Sequence, residues 1–379
     1  MKKIFYLSVL GWILFEIANV YFIMPFPGSQ EMNSIGVAYF LHACSWFLRI
    51  VFALDIIISL SQIFKVSKIL TTLSLIVLAG VTYETNFVMA ADAMFLQPKK
   101  LILLPISESA VDSDRLILGV VYNNQAKAYP IQYLGYHHQV FDSVGGEPII
   151  VTYCTVCRTG RVFEPRVNGK LETFRLVGMD HFNAMFEDAT TKSWWRQATG
   201  EAIVGKLKGT VLPELQSKQM RLKNWQTLYP NTLIMQPDVT FKTEYDSMSN
   251  YEAGRKNGNL TRRDSLSWQK KSWVVGVESG NNSKAYDWNN LEKQRIVYDV
   301  LNAKPIAIIL MKDNKSFSAL ERTNENQKFS FVGDSLSDGK YKYSILGEPA
   351  DMHMAALKNL NAYQEYWHSW QTFHPNTQK

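Results

Sequence analysis

Cys44, Cys154 and Cys157 are the three cysteines of this 379-residue chain, and the last two stand three positions apart in TYCTVCRTG, residues 152 to 160. The apolar run PIIV leads directly into them. Two thiols at this spacing open three kinds of chemistry: a dithiol and disulfide couple, half of a metal site, or a disulfide that clamps a turn. A thioredoxin-like couple needs its first thiolate at a helix N-terminus. Here RTGRVFEP follows, which reads as turn and strand, so Arg158 or Arg161 would have to supply the positive charge. A closed zinc centre wants four ligands, and Cys44 sits in an apolar stretch, so histidine or methionine would have to complete a metal site. Soft sulfur with imidazole suits copper as well as zinc. Candidate partners are His181, His137 with His138, and His353 between Met352 and Met354, and each histidine has the plainer reading of a surface or core residue.

The elements that must carry these thiols read as strands. RLILGVV, KAYPI, HQVFD and PIIVTYC are short and rich in β-branched and aromatic residues. Asn123-Asn124, Gly145-Gly146 and Asn168-Gly169 separate such runs with turn chemistry, so antiparallel hairpins are expected. PIIVTYC and PIAIIL are nearly continuous apolar runs, as in a central strand covered on both faces. Helices are expected near Lys223 to Leu228 and from about Met352 to Trp370.

A fixed offset runs through this region. GVVYNNQAKAY at 119 to 129 meets GVESGNNSKAY at 276 to 286, VFD at 140 to 142 meets VYD at 297 to 299, and Pro148-Ile149 meets Pro305-Ile306. WQTLYPNT at 225 to 232 is echoed by WQTFHPNT at 370 to 377. Tandem duplicated β modules, barrel-like or sandwich-like, are therefore expected over 92–240 and 241–379. At the same offset Cys154 falls on Met311 and Cys157 on Asn314, so the backbone needs common to both modules do not require sulfur.

Residues 1–91 differ from all this. Apolar runs over about 4–24, 35–64 and 69–89 are each long enough to cross a bilayer as a helix. No small-residue cleavage site follows the first, which argues against a signal peptide. Lys2, Lys3, Lys65 and Lys68 flank the spans, and the positive-inside rule keeps them in the cytoplasm. The large C-terminal part then lies on the outer side of a bacterial inner membrane, with the bilayer as its first partner. Arg49 and Asp55 lie within a span and are expected to face a neighbouring helix.

Five basic and five acidic residues precede position 96, so the whole net charge of +6 belongs to the remainder. It is spread rather than striped, apart from the stretch around Arg255, Lys256, Arg262 and Arg263. No nucleic-acid motif accompanies it, and no nucleic-acid partner is expected. The chain has no G-x-S-x-G elbow, H-E-x-x-H helix, phosphate loop or dinucleotide fingerprint.

GVVYNNQAKAYPIQYL, HHQVFDSVGGEPIIVTYCTVCRTGRVFEP, SWWRQATGEAIVGKLKG and WQTLYPNT, in this order, resemble the successive motifs of the DUF3179 family, a domain of unknown function in bacterial and archaeal proteins. The resemblance covers about Asp114 to Thr232, with a weaker echo in the second module. The family's usual string is close to Tyr-Cys-Pro-Leu-Cys-or-Thr-Gly, so its tolerance of Thr at the second position weighs toward Cys154 alone and against an obligatory disulfide. The resemblance also points to Asp188, Ser193, Trp195, Gln197 and Glu201 as binding residues and places His181 within a motif, while implying no activity. Read without it, Trp194, Trp195, Arg196, Gln197 and Glu201 compose either an aromatic platform with polar handles or a plug for a β core. The expectation is a metal ion, copper or zinc, or a small ligand held around Cys154. The alternatives are an oxidoreductase using Cys154 and Cys157, and a scaffold that holds a membrane protein partner.

Overall fold

Asn123 and Asn124, with φ of 45° and 60°, reverse the chain between strands Leu116–Tyr122 and Gln125–Pro130, as the paired left-handed residues of a tight hairpin must. Gly145-Gly146 and Asn168-Gly169 do the same further on. The computed structural model describes residues 2–256 and 258–379. They form two compact units. One comprises 1–96, 172–196 and 201–211, and the other 97–171, 197–200 and 212–379.

The smaller unit is built on helices α1 (Lys2–Tyr21), α2 (Ile35–Ala43), α3 (Ser45–Val66) and α4 (Lys68–Tyr83), the last continuing as a π-helical turn through Val88. Three stretches among the described residues are long and apolar enough to cross a membrane: Lys2–Tyr21, Ser45–Val66 and Lys68–Val88. The apolar run expected as one span from 35 to 64 divides at Cys44, so α2 is separate from the span that follows it. Arg49 and Glu16 form an ion pair inside the spans, and Asp55 is hydrogen-bonded by a serine. Arg49 Nε and Nη2 donate to the two Glu16 carboxylate oxygens at 2.7 and 2.9 Å, Nη2 also reaches the Asn86 side-chain oxygen at 2.7 Å, and Ser8 donates to Asp55 at 3.1 Å. An ion pair with its remaining lone pairs hydrogen-bonded is the form in which such charges survive in an apolar setting.

Four strands complete this unit, in the order Ala202–Val204, Trp194–Arg196, Asn183–Asp188 and Phe174–Asp180. Their apolar face, with Val177, Met185, Trp194 and Ile203, packs on Phe22 and Ile23 after α1 and on Ile35, Ala38 and Tyr39 of α2. Gly178 lets the backbone of Ile23 come close enough to accept a hydrogen bond from the Met179 N–H at 2.8 Å.

The larger unit is mainly β. Seven sheets are present among the described residues of the chain, and none closes into a barrel. Strand Glu147–Cys154 is central in its sheet, between Gln139–Val144 and Thr159–Phe163. Strand Lys304–Leu310 is likewise central, between Ile296–Leu301 and Phe317–Glu321. The sequence of elements hairpin, helix, three-stranded meander occurs twice, with helices Ile131–His137 and Trp288–Gln294 at corresponding places. One apolar core takes residues from both runs, among them Val151 and Tyr153 from the first and Ile309 and Leu320 from the second.

The helix expected near 223 to 228 is present as Leu222–Leu228. The one expected from about Met352 to Trp370 is not. Ala362–Tyr366 is a strand paired antiparallel with Trp273–Ser279, and only Trp367–Phe373 is helical. A ladder with a partner ninety residues away in the chain outweighs local helix propensity.

Candidate functional site

Strand Glu147–Cys154 delivers Cys154 at its end. The chain then turns through Thr155 to Arg158, whose φ of 60° closes the reversal, and returns as Thr159–Phe163, with Cys154 paired to Thr159. Among the described residues neither thiol is in a disulfide, and both are almost wholly buried, Cys154 being 2% and Cys157 0% exposed.

Neither arginine near the thiols is available to them. The Arg158 guanidinium donates to Gln364 Oε1 at 3.0 Å and to the carbonyls of Tyr251 and Glu252 at 3.2 and 2.8 Å, and lies 3.9 Å over the Trp273 ring. Arg161 is ringed by Glu214, Glu278 and Glu365 at 3.3 to 3.5 Å and lies 3.2 Å over the Tyr363 ring. The cation at the thiols is Lys271, from just before strand Trp273–Ser279. Its ammonium donates to the Val156 carbonyl at 2.8 Å, inside the Cys-x-x-Cys turn. Burial pushes it down to about 8, against the pull of the Cys157 and Cys154 sulfurs.

The strand Ala362–Tyr366 and the helix that follows close the site. The Tyr366 N–H donates to the Cys157 carbonyl at 2.9 Å, and the Lys271 ammonium lies 4.6 Å from the Tyr366 ring centre. The His368 ring bonds the Lys270 carbonyl through Nδ1 at 3.0 Å. Burial, and then the neighbouring Lys271, push His368 to about 3, so it is neutral at physiological pH. Sequence reasoning missed Lys271, Tyr366 and His368, because nothing local marks a residue more than a hundred positions from the thiols it serves.

His138 caps helix Ile131–His137 in a left-handed conformation, its Nδ1 lies 3.0 Å from the Tyr136 carbonyl, and burial pushes it down to about 4. His137 Nε2 is 2.6 Å from the Tyr245 hydroxyl. His181 belongs to the smaller unit, where its ring meets Asp180 at 2.8 Å and Asn33 at 3.1 Å. Met352 and His353 are exposed on a segment without regular structure. Among the described residues no three His, Cys, Asp or Glu side chains converge to hold a metal.

Of the remaining candidates, the structure brings Asp188, Ser193 and Trp195 together. Asp188 accepts from the Ser193 N–H at 3.1 Å and the Trp195 indole at 2.9 Å, and also from the hydroxyl of Thr191 at 2.8 Å. Ser193 Oγ accepts from the Leu207 N–H at 3.1 Å. These buried bonds tie the turn 189–192 to its strands. Gln197 belongs to the larger unit, where it donates to Thr152 Oγ1 at 3.0 Å and the Thr159 carbonyl at 3.2 Å. Gln197 thus braces the two strands that flank the Cys-x-x-Cys turn. Glu201 is 41% exposed, 4.0 Å from Arg196.

No curated protein and no solved structure matches the chain. The family described as "Protein of unknown function (DUF3179)" matches residues 103–377, a stretch that holds both thiols and Lys271, Tyr366 and His368, and the chain belongs to that family.

Proposed function

We propose that this is a multi-pass membrane protein whose larger unit lies outside the cytoplasm and holds Cu(I) between the thiolates of Cys154 and Cys157. The observation that carries the reading is Lys271. Two thiolates around a monovalent cation leave one negative charge in a dry site, and the Lys271 ammonium neutralises it. Cu(I) is satisfied by two soft donors, whereas zinc wants four, and among the described residues no group of three or more His, Cys, Asp or Glu side chains converges here. Near-complete burial of both sulfurs fits a held ion better than a nucleophile that meets protein disulfides.

Sidedness rests on the smaller unit. Its sheet packs where α1 ends and α2 leads into α3, and Asp92, just past α4, pairs with Arg175 of that sheet at 3.0 Å. Lys2, Lys3, Lys65 and Lys68 lie at the opposite helix ends and favour the cytoplasm. The two similar runs of the larger unit belong in this reading to modules 92–240 and 241–379, derived by duplication, of which the first carries the thiols.

The test is a titration of reduced, detergent-solubilised full chain with Cu(I) against a competing chelator, without oxygen. About one equivalent is expected, lost in Cys154→Ser and in Cys157→Ser, with Lys271→Met weakening the affinity roughly tenfold, or ~1.4 kcal/mol. Fully reduced protein that takes up no Cu(I) overturns the reading. A second reading, a dithiol and disulfide couple, is favoured by the same spacing and the same lysine. It predicts metal-free cycling between two titratable thiols and none in a glutathione buffer.

A further inference from the structure

Apart from the thiols, the larger unit has a cavity of about 390 Å3 at the start of helix Ile131–His137, within the size range of small-molecule sites. Its walls come from Arg115, Gln132 and Tyr133, and from the segment around Pro237, Val239 and Tyr245. Most charged groups at its edge are already committed. Asp238 accepts from the N–H groups of Thr240 and Lys99 at 2.9 Å, Asp246 pairs with Lys242 at 2.6 Å, and Asp112 accepts from the Asp114 N–H at 2.9 Å.

Arg115 is not committed. Among the described residues none accepts a hydrogen bond from its guanidinium or forms an ion pair with it, although its charge is felt by the Tyr133 phenol and by Glu252. Among the described residues the Tyr133 hydroxyl likewise has no hydrogen-bond partner, and Gln132, which donates to the Tyr245 carbonyl at 2.8 Å, has no donor to its side-chain oxygen. The rings of Tyr133 and Tyr245 lie 4.6 Å apart, tilted at 45° to each other, and give the cavity an aromatic wall against which one face of a flat group can rest. A planar fork of donors beside a phenol and an aromatic wall is complementary to a carboxylate on a flat body.

We infer that this cavity binds a small organic carboxylate with an aromatic or similarly flat body, its carboxylate on Arg115 and Tyr133 and its body against Tyr245. The site does not depend on the thiol reading, and either stands if the other fails.

Calorimetric titration of the detergent-solubilised full chain with phenylacetate, and with the neutral phenylacetamide as comparator, tests it. Phenylacetate is expected to bind at least about tenfold more tightly than the amide, and Arg115→Gln to remove that difference. Tyr133→Phe, which keeps the wall and deletes the hydroxyl, is expected to weaken phenylacetate about threefold to tenfold. Inorganic phosphate is the third probe: binding as tight as that of phenylacetate refutes the flat-body part of the inference. Equal binding of acid and amide, unchanged binding in Arg115→Gln, or no binding of phenylacetate by the wild type at about 10 mM overturns it.

Discussion

In the first run of the larger unit the Lys127 ammonium grips both oxygens of Asp142 at 3.0 Å, and the Tyr129 hydroxyl donates to the same carboxylate at 2.7 Å. In the second run, Lys284 meets Asp299 at 2.8 Å and Tyr286 donates to it at 3.0 Å. Gly119 and Gly276 each lie flat beneath an indole, of Trp225 and Trp370, where a Cβ would collide with the ring, and each indole N–H donates to a threonine, Thr232 or Thr377, at 2.8 Å. His138 and Arg295 each end a helix with positive φ and accept from a central strand, at Tyr153 and Leu310. These parts hold hairpin, helix and meander together in both runs. Chemistry is where the runs part: the first ends its central strand in thiols, while the second has Met311 and Asn314 there. Their helix-side cavities differ too, one walled by tyrosine, the other by Arg255, Arg262 and Arg263. An architecture that stands without sulfur in one run leaves the sulfur of the other open to functional use.

The comparison can be broken at its shared parts first. Trp225→Ala and Trp370→Ala remove fully buried indoles, and each is expected to cost ~3–5 kcal/mol in denaturant unfolding. A loss below about 1 kcal/mol in only one of them means that the two runs are not held alike. Asp142→Asn leaves the buried Lys127 ammonium without a counter-ion, at an expected cost of ~3–5 kcal/mol. Asp299→Asn is expected to cost clearly less, because side-chain exposures of 19% and 25% for Lys284 and Asp299, against 7% and 10% for Lys127 and Asp142, let water replace the lost partner.

A pH-dependent effect sharpens the contrast between a lysine that faces a carboxylate and one that does not. Among the described residues Lys218, on strand Ser217–Arg221 beside the first run's hairpin, has no carboxylate partner; its ammonium donates to the Asn359 side-chain oxygen and to the Leu360 carbonyl, the latter at 3.2 Å. Burial pushes it from 10.5 down to about 7. The unfolded chain therefore holds this proton more tightly than the folded one, and stability rises as the pH climbs from about 7 toward 10.5. Lys218→Met removes that dependence. Its stability relative to wild type is expected to be most favourable below about pH 7 and to decline above it, and a difference that is flat with pH refutes the assignment.

Local chemistry made much of this protein legible. The left-handed pairs at Asn123-Asn124, Gly145-Gly146 and Asn168-Gly169, the two central apolar strands, and helix Leu222–Leu228 are all properties of residues near one another in the chain. Arg49 and Asp55 were also readable as charges needing a helical partner, since an unpaired charge in an apolar span is too costly to keep. The partners Glu16 and Ser8 were not. The Cys44 break that separates α2 from α3 and the strand Ala362–Tyr366 escaped for one reason: each is settled by packing against a distant segment.

The sequence alone determined that the chain has apolar spans, a β-rich remainder and one pair of thiols at the end of a buried strand, because hydrophobic length, side-chain alternation and turn chemistry are local. Only the tertiary structure decided which charge stands by those thiols, sending Arg158 and Arg161 elsewhere and bringing Lys271 in from the second run. Electrostatics acts through space at a few ångströms, and residues 157 and 271 become neighbours only when strand Ala362–Tyr366 joins Trp273–Ser279 and its Tyr366 N–H meets the Cys157 carbonyl.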